Sequence, residues 1–306
     1  MNPIKLSLIV IVFLSCEAGI AQQFPQFTQY MYNTISVNPA YAGSREVLSV
    51  VGLHRSQWVG FRDGPTTQTL SVHTPLRNDR VGLGLSFIKD DLGPENFTYL
   101  YTDFSYAIPT GTKGRIAFGI KGGFTQYSFD QEVREAESED PFIFGILDRW
   151  TPNIGLGLYW STNKIYASIS VPRILNTTKS QEEGFEPLDR LNYYFTLGGV
   201  IKVSESLKFK PAGLIKATNG APISYDVTAN FLYKEKFWVG ASYRINNQTG
   251  ALGAIADFQL SKQIRLGYAY EKPLSVISSY TTGTHEVLLI YEFKFLSSKL
   301  KSPRYF

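Results

Sequence analysis

The residues of this chain that could ligate a metal or attack a substrate are few and scattered. His54, His73 and His285 stand far apart, and none belongs to an H-E-x-x-H pair or sits beside paired carboxylates at ligand spacing. Neither a G-x-S-x-G nucleophile elbow nor a G-x-x-x-x-G-K-[ST] phosphate loop is present. "GLGLSF" and "GAIADF" imitate a dinucleotide-binding loop, but both lie in strand-patterned segments with no helix following. Cys16 is the only cysteine. A signal cut at Ala21 would leave the mature chain without a thiol, and so without a disulfide or a thiolate metal site. The expectation is a protein with no catalytic residue, no metal and no cofactor.

Charge and aromatic side chains cluster elsewhere. "DQEVREAESEDP" (Asp130–Pro141) and "SQEEGFEP" (Ser180–Pro187) are acidic. They suit solvated loops, or surface sites for hard cations, although their spacing matches no calcium loop. "HRSQWVGFRDGPTTQTLSVHTPL" (His54–Leu76) gathers Arg55, Gln57, Trp58, Phe61 and Arg62. Trp and Arg are typical recognition anchors, which makes this a candidate recognition loop. Trp58 and Phe61 equally suit a membrane-interface belt, and the residues alone leave both readings open.

The elements that position these residues read as strands. The chain has 306 residues, of which 43% are hydrophobic and 14% aromatic, with 19 Tyr, 21 Phe and 26 Gly. That composition excludes disorder and suits sheets at a membrane interface. A net charge of +4 without a dense Lys/Arg cluster excludes a nucleic-acid partner. Residues 1–21 read as a secretory signal: Lys5, then the apolar run Leu6–Leu14 interrupted by Ser7, then Gly19 and Ala21 before a cut at Ala21–Gln22. The stretch "FLSC" resembles a lipoprotein box, with Phe13 where leucine is preferred. No later segment approaches the roughly 20 apolar residues of a membrane helix.

Instead, segments of about ten residues alternate in character. In "VGLGLSF", Val81, Leu83, Leu85 and Phe87 share a face opposite Gly82, Gly84 and Ser86. "NIGLGLYW", "IRLGYAYE" and "HEVLLIYEF" behave alike. About fourteen such segments run through 46–54, 66–76, 81–90, 96–108, 115–129, 151–161, 164–172, 190–202, 207–218, 222–233, 236–246, 249–260, 263–272 and 284–293. Their connections sort by parity. The even ones, such as "RNDR", "TNK" and "KEK", are short and polar, while the odd ones tend to be long, apart from two near Asn219 and Asn247. A soluble sandwich has no reason to sort its loops this way, whereas a membrane barrel does.

The expected fold is all-β, an antiparallel transmembrane β-barrel of about 14 strands with an N-terminal periplasmic or plug segment. Its expected divisions are 1–21 (signal), 22–45 (periplasmic or plug segment), 46–295 (outer-membrane barrel) and 296–306 (tail). A periplasmic N-terminus puts the short turns in the periplasm and the long loops outside the cell. The many glycines on the inward face imply that something packs close to the inner wall, or that the strands bend strongly. Gln22–Gly43, uncharged and rich in Gln, Asn and Tyr, is the expected occupant, tucked into the periplasmic mouth or docking a periplasmic partner there, the alternative being a loose leader.

"PQFTQYMYNTISVNPAYAGS" followed by "GLHRSQWVGFRDGPTTQTLSVHTPL" resembles the N-terminal hallmark of the PorP/SprF family, outer-membrane components of the type IX secretion and gliding apparatus of Bacteroidota. The resemblance rests on Pro25, Gln26, Gln29 and Tyr30, on Asn38, Pro39, Ala40, Tyr41, Ala42 and Gly43, and on Arg55, Gln57, Trp58 and Pro65. The closing "THEVLLIYEF" is similar to the family's last strand. Membership implies a non-enzymatic barrel in outer-membrane lipid. It would work through protein partners, namely periplasmic type IX secretion components and the C-terminal domain of a secreted adhesin. The competing function is a diffusion channel for small or hydrophobic solutes, which barrels of this size also perform.

Overall fold

The computed structural model describes residues 25–76, 79–111, 114–130, 149–175, 190–247 and 249–293. The signal segment, both acidic clusters beyond Asp130 and the C-terminal tail lie outside the described residues.

Among the described residues, fifteen strand segments form one sheet. They are β1 (Ser49–Val59), β2 (Thr66–Pro75), β3 (Val81–Leu92), β4 (Glu95–Thr110), β5 (Gly114–Phe129), β6 (Arg149–Ser161), β7 (Ile165–Val171), β8 (Asn192–Gly199), β9 (Ile201–Lys202), β10 (Leu207–Thr218), β11 (Ser224–Tyr233), β12 (Phe237–Ile245), β13 (Gly250–Gln259), β14 (Ile264–Pro273) and β15 (Gly283–Glu292). Each pairs antiparallel with its neighbours, and β15 returns to pair with β1, Glu292 opposite Ser49. The sheet is therefore closed. β8 and β9 face β10 in one unbroken register, Gly198 opposite Ala212 and Lys202 opposite Lys208. They are one strand interrupted at Val200, which leaves a fourteen-stranded barrel, as the alternation predicts. A closed sheet has no edge strand, the condition for crossing lipid with strands.

Side-chain alternation sorts the two faces. Leu83, Leu85 and Phe87 of β3 are exposed on the outer wall, while Gly82 and Ser86 point inward and are buried. The outer wall also carries Phe104, Phe118, Ile120, Leu156, Leu197, Val227 and Leu289. Exposed Trp150 and Tyr193 lie near one rim, and exposed Tyr233, Phe237 and Phe258 near the other, where amphipathic rings suit a headgroup region. Inward positions mix apolar residues such as Val51, Leu53, Ile255 and Leu288 with polar or charged ones, among them Asp103, Lys121, Lys210, Asp226, Glu271 and Glu286, all buried.

Connections 76–80, 111–113, 162–164, 203–206, 234–236 and 260–263 close one end, hereafter the short-turn end. The opposite, long-connection end carries 130–148, 172–191 and 274–282. Three connections there are short, not two, because β3 and β4 are joined by Gly93–Pro94 alone. Gly93 takes φ +59°, which lets so tight a turn form. β1 begins, and β15 ends, at the short-turn end.

Strand β1 runs further than the pattern suggests, to Val59, and this corrects the reading of Arg55, Gln57 and Trp58 as loop residues. Between Ser56 and Val59 the pairing with β15 slips, and Trp58 takes φ +55°. Such a bulge inserts an unpaired residue and re-aims the chain before it turns.

Candidate functional site

The candidate site is the interior of the barrel, where residues 25–45 meet the inward faces of strands from most of its circumference. The segment contains three single 3-10 turns, Tyr30–Tyr32, Thr34–Ser36 and Pro39–Tyr41. Pro39 pre-sets φ at the start of the last turn, and the Asn38 side chain caps it, its Oδ1 accepting from the Ala40 N–H at 2.9 Å. Short 3-10 turns leave many backbone groups without a helical partner. The barrel wall supplies them.

At the long-connection end a buried charge network grips the segment. Both carboxylate oxygens of Glu286 accept from successive backbone N–H groups, those of Thr28 at 2.6 Å and Gln29 at 2.9 Å. Arg55, directly opposite Glu286 in the β1–β15 register, donates to the same carboxylate at 2.6 Å and reaches Glu271 at 3.3 Å. It also donates to Thr28 Oγ1, which in turn donates to Glu271. Arg244 pairs with Asp226 and Glu271 and donates to the Phe27 carbonyl. Gln26 donates to Asp226. Such buried charges persist only when paired and hydrogen-bonded, and here strap backbone and wall side chains complete one another.

In mid-lumen the Asn33 amide donates to Thr69 and accepts from Ser71, both on β2. Lys121 pairs with Asp103 at 2.8 Å and donates to the Ile35 carbonyl. The Tyr32 ring lies under two cations, Lys210 Nζ at 4.7 Å and Arg265 Cζ at 5.1 Å from its centroid.

At the short-turn end part of the wall is built only of Gly and Ser. Gly82, Ser105, Gly119, Gly157 and Ser170 form one cross-strand row over β3 to β7. The turn Asn38–Ala42 lies on this row. A Cβ on Gly119 would come within 2.1 Å of the Ala40 nitrogen, one on Gly157 within 2.0 Å of Asn38 Oδ1, and one on Gly82 within 2.2 Å of the Ala42 carbonyl oxygen. Ser105 donates to that carbonyl, and Asn38 Nδ2 donates to the Leu158 carbonyl. Gly43, at φ +71°, turns the chain toward β1 and donates to His73 Nδ1. Arg45 then pairs with Glu292 at 2.7 Å.

A family model for type IX secretion system membrane proteins of the PorP/SprF kind matches residues 19–291. The chain belongs to the PorP/SprF family. Among solved structures, the PorP/SprF barrel is similar in fold to the Acinetobacter baumannii outer membrane protein Omp33, at 10% identity and a TM-score of 0.50, with 81% of this chain and 98% of that chain covered. It is also similar to the CymD monoaromatic hydrocarbon channel, at 12% identity and a TM-score of 0.53, with 90% and 96% covered. Both likenesses concern the fold alone. No curated protein matches the chain.

Of the sequence candidates in this PorP/SprF chain, Pro25, Gln26, Gln29, Tyr30, Asn38, Pro39, Tyr41 and Gly43 all lie on the lumen segment, and all but half-buried Gln26 are buried. Arg55 joins them from the wall, buried at 2% exposure rather than displayed on a loop, because its side chain follows the inward alternation of β1. Gln57 and Trp58 are half-buried at the β1 bulge. Trp58 packs edge-on to Phe61, with ring centroids 6.5 Å apart. Only Phe61 and Arg62 project as a recognition loop would, both exposed in connection 60–65.

The segment does not sit at the short-turn mouth alone. Its Gln26 and Thr28 contacts lie at the long-connection end, and only Asn38–Arg45 lie at the short-turn end. The carboxylates that hold it, Glu271, Glu286 and Glu292, were not among the candidates. Each is a charged residue at an inward position of a strand whose outer face is apolar, and that contrast was the signal available.

Proposed function

We propose that this barrel serves type IX secretion as an outer-membrane scaffold that binds protein partners, with its lumen occupied by its own N-terminal segment. The observation that supports the reading is the contact of residues 25–45 with the inward wall. Residues 25–45 are hydrogen-bonded to β2, β4, β5, β6, β11, β14 and β15 together. A wall that meets its own chain at so many places leaves little for a diffusing solute. The partners proposed are periplasmic secretion components at the short-turn end and the C-terminal domain of a secreted adhesin. In this reading the long connections are extracellular and the exposed Phe61–Arg62 pair is a contact point for a protein partner.

Affinity purification from membranes in mild detergent tests it. Type IX components or a large surface protein should co-purify with the wild-type barrel. Phe61→Ala combined with Arg62→Ala should reduce recovery of one such partner at least tenfold and leave barrel stability within ~0.5 kcal/mol, since both side chains are exposed. Recovery of the barrel alone, in wild type and variant, counts against a scaffold. The second reading, a diffusion channel, draws on fold similarity to a barrel described as a hydrocarbon channel.

A further inference from the structure

We infer that the mature N-terminus of this chain lies at the long-connection end of the barrel, opposite the end where β1 begins. The path is marked by contacts of known depth. Gln26 bonds to Ser224 and Asp226, the first and third residues of β11, which starts at the long-connection end. Arg244, which takes the Phe27 carbonyl, is one residue from the end of β12 on that same side. Glu271 and Glu286, which hold Thr28, lie near the long-connection ends of β14 and β15. Asn33 then meets Thr69 and Ser71 at mid-height of β2. Asn38 meets Leu158 near the short-turn end of β6, and Arg45 meets Glu292, the last residue of β15.

The segment is therefore a strap that crosses the whole lumen. A chain that began in the compartment of the short turns would have to fill the lumen twice to reach Gln26. Strand residues rise about 3.3 Å each, so Gln26 lies within roughly 7 Å of the long-connection rim. Four further residues back to Gln22 reach up to about 14 Å, enough to clear it. The inference rests on a signal cut at Ala21. Where the short turns are periplasmic, as outer-membrane barrels place them, the N-terminal amine is on the cell surface, beside the connections offered to partners, and not in the periplasm as the sequence alone suggests. The strap then joins the two faces of the barrel, gripped by Glu271 and Glu286 at one and by Glu292 at the other.

The only cysteine, Cys16, precedes the cut, so single-cysteine labelling is clean. Three variants suffice: Gln23→Cys, Ser279→Cys in the long connection 274–282, and Ser204→Cys in the short turn 203–206. Each is treated with a bulky maleimide too large for the lumen, on intact cells, on cells with a permeabilised outer membrane, and after denaturation to show that the thiol is present. Gln23→Cys should label under the same condition as Ser279→Cys, at more than tenfold the extent seen at Ser204→Cys. Labelling of Gln23→Cys that follows Ser204→Cys, or that appears only after denaturation, overturns the inference. The orientation reading is judged separately, by whether Ser279→Cys or Ser204→Cys labels on intact cells.

Discussion

Glu286→Ala is expected to destabilise the folded barrel by roughly 3–5 kcal/mol, the cost of removing one partner from a buried charge pair. Three groups lose their acceptor at once: the Arg55 guanidinium and the backbone N–H groups of Thr28 and Gln29. Arg55 retains Glu271, but at 3.3 Å, and Glu271 is already shared with Arg244 and Thr28. The stranded N–H groups each add a desolvation cost of about 1–3 kcal/mol unless the strap moves to find water. The strap should therefore loosen at its Thr28–Gln29 end while the strands stay paired. Urea unfolding of the reconstituted barrel measures the stability. Hydrogen exchange at Thr28 and Gln29 measures the strap, and protection there should fall by at least tenfold. A double change, Arg55→Met with Glu286→Leu, should cost less than Glu286→Ala, because it leaves no buried charge uncompensated. A larger loss in the double variant would mean that the network sustains the wall itself rather than the strap.

The second large effect is steric. Gly119→Leu combined with Gly157→Leu should expel Asn38–Ala40 from the wall. These glycines face each other across β5 and β6, and each lies under strap atoms at distances no Cβ tolerates. Overpacking of this kind typically costs about 1–3 kcal/mol per site. Neither neighbour is the far end of a flexible side chain at Gly119, where the obstacle is backbone, so the strap rather than the strand must give way. Outside the strap footprint the result differs. Gly52 on β1 has open space around its Cβ position, and Gly52→Ala should leave stability within ~0.5 kcal/mol. The expected signature is a barrel that still assembles but conducts ions, with conductance at least tenfold above wild type. An unaltered barrel would show that Asn38–Ala40 does not rest on the row.

The wall was legible because a barrel strand writes its two environments directly into alternate residues. Leu83, Leu85 and Phe87 against Gly82 and Ser86 is the same contrast in the sequence and in the exposure of the folded chain. The end of β1 was not legible, since Arg55 and Trp58 read as recognition residues once alternation is ignored. The bulge after Ser56 breaks the period that would have placed them. The glycine floor was visible only as an excess of inward glycine. Aligning Gly82, Ser105, Gly119 and Gly157 into one row requires the inter-strand register, which no local pattern encodes. The strap's direction was hidden for a similar reason. Its residues announce that they are polar and uncharged, but their partners Asp226, Glu271 and Glu286 lie some two hundred positions or more away, and only those contacts give depth.

The proposed scaffold role depends on a lumen filled by the chain's own strap. Single-channel recording of the purified wild-type barrel in planar bilayers tests that most directly. A strap-filled lumen should give a silent barrel, with no steady conductance at any applied voltage that leaves the bilayer intact. A persistent open pore would contradict it and would favour a diffusion channel.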